Sequence, residues 1–178
     1  MKIQALTGIR DRKGFDCGVE VLNFWLRQTA LQHQAKGISR TFVAIASDAE
    51  EIESYHSAGY VDIGETSILG YFALTSAFVL STDLTPELAR RYPRQIPVTR
   101  LGRLAVHSNL QGQGLGRLLL ADAVTRSRNA ALSVGSAGIF VDAKNADAVR
   151  FYKRYGFIAC HEQPYKLYLL MWPTVRLK

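Results

Sequence analysis

The stretch Gln111-Gly112-Gln113-Gly114-Leu115-Gly116 constrains this chain more than any other. It separates an apolar strand-like run, Leu101 to Val106, from an apolar helix-like run, Leu115 to Val124. Glycine exposes main-chain N–H groups and lets a ligand approach closely. The helix that follows brings its positive dipole end to the same place. Strand, glycine loop and helix in that order predict a cradle for a pyrophosphate. A plain glycine turn into a helix is the bland reading of the same residues.

Two familiar phosphate loops do not fit. A P-loop needs Lys followed by Ser or Thr after its last glycine, and here Gly116 is followed by Arg117-Leu118. A dinucleotide fingerprint needs G-x-G-x-x-G, and the interval from Gly114 to Gly116 is one residue too short for it. The spacing that fits is Gln111-x-x-Gly114-x-Gly116, which resembles the Q/R-x-x-G-x-G/A loop of the GNAT acyl-CoA N-acetyltransferases. A second run follows it. Phe140 to Ala143 reads as the end of a buried strand, Asn145 starts a short helix over Ala146 to Arg154, and Gly156 stops it. Residues 145–157 resemble the other GNAT signature, N-x-x-A-x-x-F-Y-x-x-x-G-F, at every fixed position. The resemblance implies an α/β fold with a mixed, twisted central sheet flanked by helices, splayed where the cofactor enters.

At 178 residues, with 48% hydrophobic content, the chain is expected to fold as one domain, 1–178. No run of 18 apolar residues predicts a transmembrane helix, and the N-terminus lacks the long apolar core of a signal peptide. A cytoplasmic protein is therefore expected, with Cys17 and Cys160 as buried thiols rather than a disulfide. No CxxC or His pair suggests a metal site.

The formal charge of +7 is unevenly distributed. Asp48 to Glu65 holds six acids and no Lys or Arg, whereas from residue 66 onward 15 basic residues face six acids. No acid lies between Leu88 and Ala121, a stretch that carries Arg90, Arg91, Arg94, Arg100, Arg103 and Arg117. A solvated cationic face, steering of an anionic cofactor and binding of a polyanion such as RNA are all compatible with that cluster.

Along the chain, Lys2 to Leu6 reads as a strand and Phe15 to Gly18 as a turn. Val19 to Lys36 reads as one amphipathic helix ended by Gly37. Thr41 to Ala46 is a strand, Asp48 to Glu65 an irregular acidic loop and Ser67 to Leu80 a longer strand. Pro86 to Arg91 is a short helix, Pro93 and Pro97 bound a turn, and Val98 to Val106 is the strand entering the cradle. Leu115, Leu118, Leu119, Ala123 and Arg126 keep helical spacing. Gly138 to Val141 and Tyr165 to Met171 are further strands.

The GNAT resemblance assigns roles. Acetyl-CoA is the implied co-substrate. The main chain of Leu104, Ala105 and Val106 would bond its pantetheine arm, and the amides of Gln111, Gly112, Gln113, Gly114, Leu115, Gly116 and Arg117 its pyrophosphate, with Arg117 adding a charge-assisted contact. Tyr152 is implied as the general acid that protonates the leaving thiolate. Asn145 caps its helix and is placed to touch the pantetheine arm; Phe151 is a further candidate for the cofactor site, with a core aromatic as the plainer reading of it. A general base is harder to find. No carboxylate lies between Glu87 and Asp122, and His107 is the only candidate base nearby, with a structural role as its plainer reading. An α-amine titrates near about 7.7–8.0, and an ester on the adjacent carboxyl lowers that, so such an acceptor needs little base; a lysine near about 10.4 needs more.

A narrower resemblance covers nearly the whole chain. Phe15-Asp16-Cys17-Gly18, Leu22-x-x-Trp25-Leu26, the run Gly37 to Val43, and Arg100-Leu101-Gly102-Arg103-Leu104-Ala105-Val106 resemble GNAT toxins of bacterial toxin–antitoxin modules. That resemblance implies acetylation of the amino group of aminoacyl-tRNA, a block of translation, a ribbon-helix-helix antitoxin through which operator DNA is bound and transcription repressed, and a homodimer. Arg90, Arg91, Arg94 and Arg103 are the candidates for tRNA backbone contacts. Acetylation of a protein N-terminus or a small amine is the alternative enzyme, and a non-catalytic subunit that binds a partner and represses transcription is the third reading.

Overall fold

The computed structural model describes residues 1–172. Seven strands and six helices follow one another as β1 (Lys2–Ala5), α1 (Glu20–Gln28), α2 (Ala30–Ala35), β2 (Arg40–Ile45), α3 (Ala49–Ser57), β3 (Gly70–Leu80), α4 (Pro86–Ala89), β4 (Gln95–Val106), α5 (Leu115–Ala131), β5 (Gly138–Asp142), α6 (Ala146–Arg154), β6 (Ile158–Cys160) and β7 (Gln163–Leu170) among the described residues. The sheet is mixed, in the order β1-β2-β3-β4-β5-β7-β6. β1, β2 and the start of β3 pair antiparallel; β4 and β5 pair parallel; β7 pairs antiparallel with both β5 and β6. The mixed sheet with flanking helices is the one expected.

The described residues gather into two compact units, one of residues 1–74 with 103–123, the other of 75–102 with 124–172. β3, β4 and α5 each contribute residues to both. In the first unit α1 and α2 cover one sheet face, where Leu6, Phe15, Trp25, Leu26, Val43 and Tyr71 are buried together. Burying a Leu of this kind stabilises by roughly 1.5–3 kcal/mol. Tyr71 stacks on Trp25 with ring centroids 6.0 Å apart and donates its hydroxyl to the Leu22 carbonyl at 2.9 Å. In the second unit Val79, Leu84, Ile96, Val98, Phe140 and Tyr168 form the core, with Phe140 and Tyr168 stacked at 5.4 Å. Asp83 ties β7 to the turn before α4, accepting from Lys166 at 3.0 Å and Gln163 at 2.9 Å. Burial works to raise the Asp83 pKa, but the hydrogen bonds and the ammonium charge outweigh it and hold the carboxyl below its usual range.

Several local expectations are corrected. The helix expected over Val19 to Lys36 is two helices. Thr29, β-branched and at φ −114°, is both the C-cap of α1 and the N-cap of α2. The stretch expected as an irregular acidic loop contains α3. Asp48 caps it by accepting from the Glu51 amide at 2.9 Å, and Glu50 and Glu51 lie in the first turn, where negative charge suits the helix dipole. Pro97 does not bound a turn. β4 begins at Gln95 and runs through Pro97, whose carbonyl accepts from Ala137 at 2.9 Å. β6, three residues long, has no counterpart among the expected strands; Glu162 at φ 55° turns the chain from it into β7. Among the described residues no helix is long and apolar enough to cross a membrane.

Candidate active site

The glycine loop belongs to the first unit. After β4 a short 3-10 turn, Ser108–Leu110, leads into it, and the Gln111 amide closes that turn on the Ser108 carbonyl at 3.4 Å. Gly112 at φ 75° and Gly114 at φ 86° occupy the left-handed region, and a Cβ at either would meet no atom within 4 Å. Glycine is therefore required here by backbone conformation, not by crowding. α5 starts at Leu115, and its Leu118 amide reaches back to the Gly114 carbonyl at 3.4 Å. The amides of Leu115, Gly116 and Arg117 precede that first turn of bonds, as the leading amides of any helix do. No acidic residue lies in the first turn of α5 to oppose an anion. Arg117 is exposed at the same helix start. A glycine loop feeding a long helix with this charge pattern fits the pyrophosphate of acetyl-CoA.

Gln111 is exposed, but its carboxamide is held. Its Nε2 donates to the Val106 carbonyl and to the Cys17 carbonyl, each at 3.0 Å, so its side chain fastens the loop to β4 and to the turn before α1. Gln113 donates to the Tyr60 hydroxyl at 2.7 Å. Ala105 and Val106 are buried and Leu104 half-buried. β4 pairs with β5 over Thr99–Leu101, and Leu104, Ala105 and Val106 lie beyond that ladder. Gly70 on β3 lies so close to β4 that a Cβ there would stand 2.9 Å from the Ala105 carbonyl oxygen and 2.8 Å from Leu119.

His107 follows β4. Its Nδ1 accepts from the Asn109 amide at 3.3 Å, and its ring lies edge-on to Phe15 at 5.9 Å. It lines a cavity of about 370 Å³ with Asp11, Tyr60, Asp62, Leu69 and Asn109. Arg103 is not displayed as a free cation. Its guanidinium lies 4.2 Å from the centroid of the Trp25 ring. Arg90, Arg91 and Arg94, in the second unit, are all exposed; Arg100 instead pairs with Asp142 at 2.9 Å.

α6 carries the second set of residues. Asn145 caps it, accepting from the Ala148 amide at 2.9 Å. Tyr152 is the buried residue of this helix, 7% exposed, with Phe151 and Phe157 at ring separations of 5.2 and 5.4 Å. Burial pushes its phenol up to about 12. Gly156 at φ 90° ends the turn after it.

Three arrangements have no signal in the sequence: the bond from Gln111 to Cys17, the Arg103–Trp25 stack and the Gln113–Tyr60 bond. Each joins residues far apart in the chain, and no spacing rule links them. The motifs 15–18 and 22–26 are visible there, but not the contacts they make.

A family model described as an acetyltransferase (GNAT) domain matches residues 89–173. The chain is 34% identical over 161 residues to a tRNA-acetylating toxin of Mycobacterium tuberculosis, covering 90% of this chain and 86% of that protein. Among solved structures it is similar to AtaT complexed with acetyl-methionyl-tRNAfMet, at 31% identity and TM-score 0.81, covering 95% of this chain and 94% of that one. It is also similar to a tyrosine-to-phenylalanine variant of the AtaT toxin bound to the C-terminus of the antitoxin AtaR and acetyl-CoA, at 31% identity and TM-score 0.73, covering 96% and 92%.

Proposed function

Because the chain belongs to the GNAT acetyltransferases, we propose that it is a toxin that transfers the acetyl group of acetyl-CoA to the amino group of aminoacyl-tRNA and so blocks translation. The observation that carries this reading is the match over 90% of the chain to a tRNA-acetylating toxin. Acetyl-CoA supplies the activated acyl group. In this reading the amides from Gly112 to Arg117 hold its pyrophosphate, and the main chain of Leu104 to Val106 its pantetheine arm. The acceptor nitrogen attacks the thioester carbonyl, the carbon–sulfur bond breaks, and Tyr152 gives its phenolic proton to the departing sulfur. The proton released by the amine passes to solvent, and solvent returns a proton to the Tyr152 phenolate. The cradle stretch itself, between Glu87 and Asp122, contains no carboxylate to act as a strong base. An aminoacyl ester, whose amine is substantially neutral near pH 7, makes none necessary.

The same reading places the protein in the cytoplasm as a homodimer. A ribbon-helix-helix antitoxin restrains it, and that antitoxin carries the pair to operator DNA. Arg90, Arg91 and Arg94 are the proposed contacts to the tRNA backbone; Arg103 joins them only through whatever face its stack on Trp25 leaves open. The test is binding of aminoacyl-tRNA against salt. Wild type should lose affinity linearly in log[salt]. Replacing Arg90, Arg91 and Arg94 together with alanine should weaken binding and flatten that slope by about 0.7–0.9 for each phosphate no longer neutralised. A wild type that does not bind charged tRNA would overturn the substrate. It would favour a protein N-terminus or a small amine.

A further inference from the structure

We propose that Asn23 is a positioning residue for acetyl-CoA, acting on the glycine loop through the turn that precedes α1. Asn23 sits on α1 with only 4% of its surface exposed, on the helix that also buries Trp25 and Leu26. A carboxamide buried there must be satisfied, and it is. Its Oδ1 accepts from the Cys17 amide at 3.0 Å, and its Nδ2 donates to the Asp16 carboxylate at 2.8 Å. That carboxylate also accepts from the Gly18 amide at 2.8 Å, which closes the turn at a glycine of φ 78°. Asn23 therefore holds residues 16 and 17 directly, and the Asp16 carboxylate it anchors holds Gly18.

The far side of the same turn holds the cradle. The Cys17 carbonyl accepts from Gln111 Nε2 at 3.0 Å, and the Asp16 carbonyl accepts from the Ser108 amide at 2.8 Å and its hydroxyl at 3.1 Å. Cys17 is held by Asn23 at its N–H and by Gln111 at its C=O. The turn is a bracket: Asn23 is its anchor in the core, and Gln111, first residue of the loop, hangs from it. Gly112 and Gly114, both at positive φ, have little stiffness of their own, so the direction of the following amides depends on where Gln111 is pinned, by the Cys17 carbonyl of the bracket together with the Val106 carbonyl of β4. Loss of Asn23 frees the bracket and loosens the donors that meet the pyrophosphate, without touching Tyr152.

This inference rests on residues 111–117 being the acetyl-CoA cradle. The experiment is calorimetric titration of the full chain with acetyl-CoA, with steady-state kinetics, for wild type, Asn23→Ala, Gln111→Ala and the double variant. Asn23→Ala should weaken acetyl-CoA binding on the order of tenfold, the scale seen when residues that orient metal ligands are removed. The KM for acetyl-CoA should rise in step, while kcat at saturating acetyl-CoA stays at the wild-type value. The double variant should bind no more weakly than Gln111→Ala alone, because both cut the same chain of bonds. A stable Asn23→Ala protein with wild-type acetyl-CoA affinity, or losses that add in the double variant, would overturn the proposal. Should Asn23→Ala not fold, the isosteric Asn23→Asp is read the same way: its carboxylate still accepts from the Cys17 amide but has no N–H to donate to Asp16. A wild type that binds no acetyl-CoA would defeat the cradle itself, a result distinct from any of these.

Discussion

Tyr152, the proposed general acid, is a buried phenol. Its phenol is surrounded by Phe151 and Phe157, and burial raises its pKa from the ordinary 10 to about 12. The neutral form is thus the only one populated at physiological pH, as a proton donor to a leaving thiolate requires. Tyr152→Phe keeps the ring and removes the proton, so kcat should fall by about 10²–10⁴ while acetyl-CoA binding is kept. In wild type the donor persists on the alkaline side, so no loss of kcat from tyrosine ionisation is expected up to about pH 10. The sign for stability follows from the same shift. An unfolded tyrosine ionises near about 10 and the folded one only near about 12, so the folded state loses stability as pH rises between them. A kcat that fell in the alkaline limb with a midpoint below pH 9, absent in Tyr152→Phe, would contradict the assignment. Tyr152 itself is legible in the sequence, because F-Y at a fixed distance from Asn145 is a local pattern. Asn23 is not: it lies between two motif positions, Leu22 and Trp25, and its partners Asp16 and Cys17, with Gln111 beyond them, are joined only by the fold.

At the scale of elements, the sequence is most readable where a cap or a stop is encoded in one residue. α6 runs over the residues expected, because Asn145 caps it and Gly156 takes the left-handed conformation that ends it. α3 is harder to see although Asp48-x-x-Glu51 offers the same kind of signal; its high density of carboxylates resembles loop composition, yet two of them sit where the helix dipole favours them. The split between α1 and α2 is invisible for a different reason: their apolar spacing continues across Thr29, and only the backbone angle there breaks the helix. Asn145 is assigned two duties, and its variants separate them. Asn145→Ala should lower stability by about 1 kcal/mol, and Asn145→Asp, an equally good cap, should restore it. Thermal melts read the cap. A raised KM for acetyl-CoA that persists in the stable Asn145→Asp protein reads a contact with the pantetheine arm, and a KM restored along with stability leaves capping as its whole role.

Across the whole molecule, the formal charge of +7 conceals a division. The acids of residues 48–65 are concentrated on and after α3, while residues 88–121 carry arginines and no acid. Within that basic stretch the structure makes distinctions that composition cannot. Arg100 is paired with Asp142 and Arg103 is laid on Trp25, which leaves Arg90, Arg91, Arg94 and Arg117 as the exposed cations. The mixed sheet, the glycine loop and the Tyr152 helix are all legible as local patterns in the right order. The bonds that hold the loop to the turn before α1 are not, since they span more than 90 residues.

The most direct test of the proposed activity is radiolabelled acetyl transfer from acetyl-CoA to a pool of aminoacylated tRNA, with uncharged tRNA and free amino acids as controls. Label should appear on charged tRNA alone, be released with the aminoacyl ester, and be strongly reduced in Tyr152→Phe. Label on a protein or a free amine, or none on tRNA from an enzyme that still binds acetyl-CoA, would contradict a tRNA-acetylating toxin.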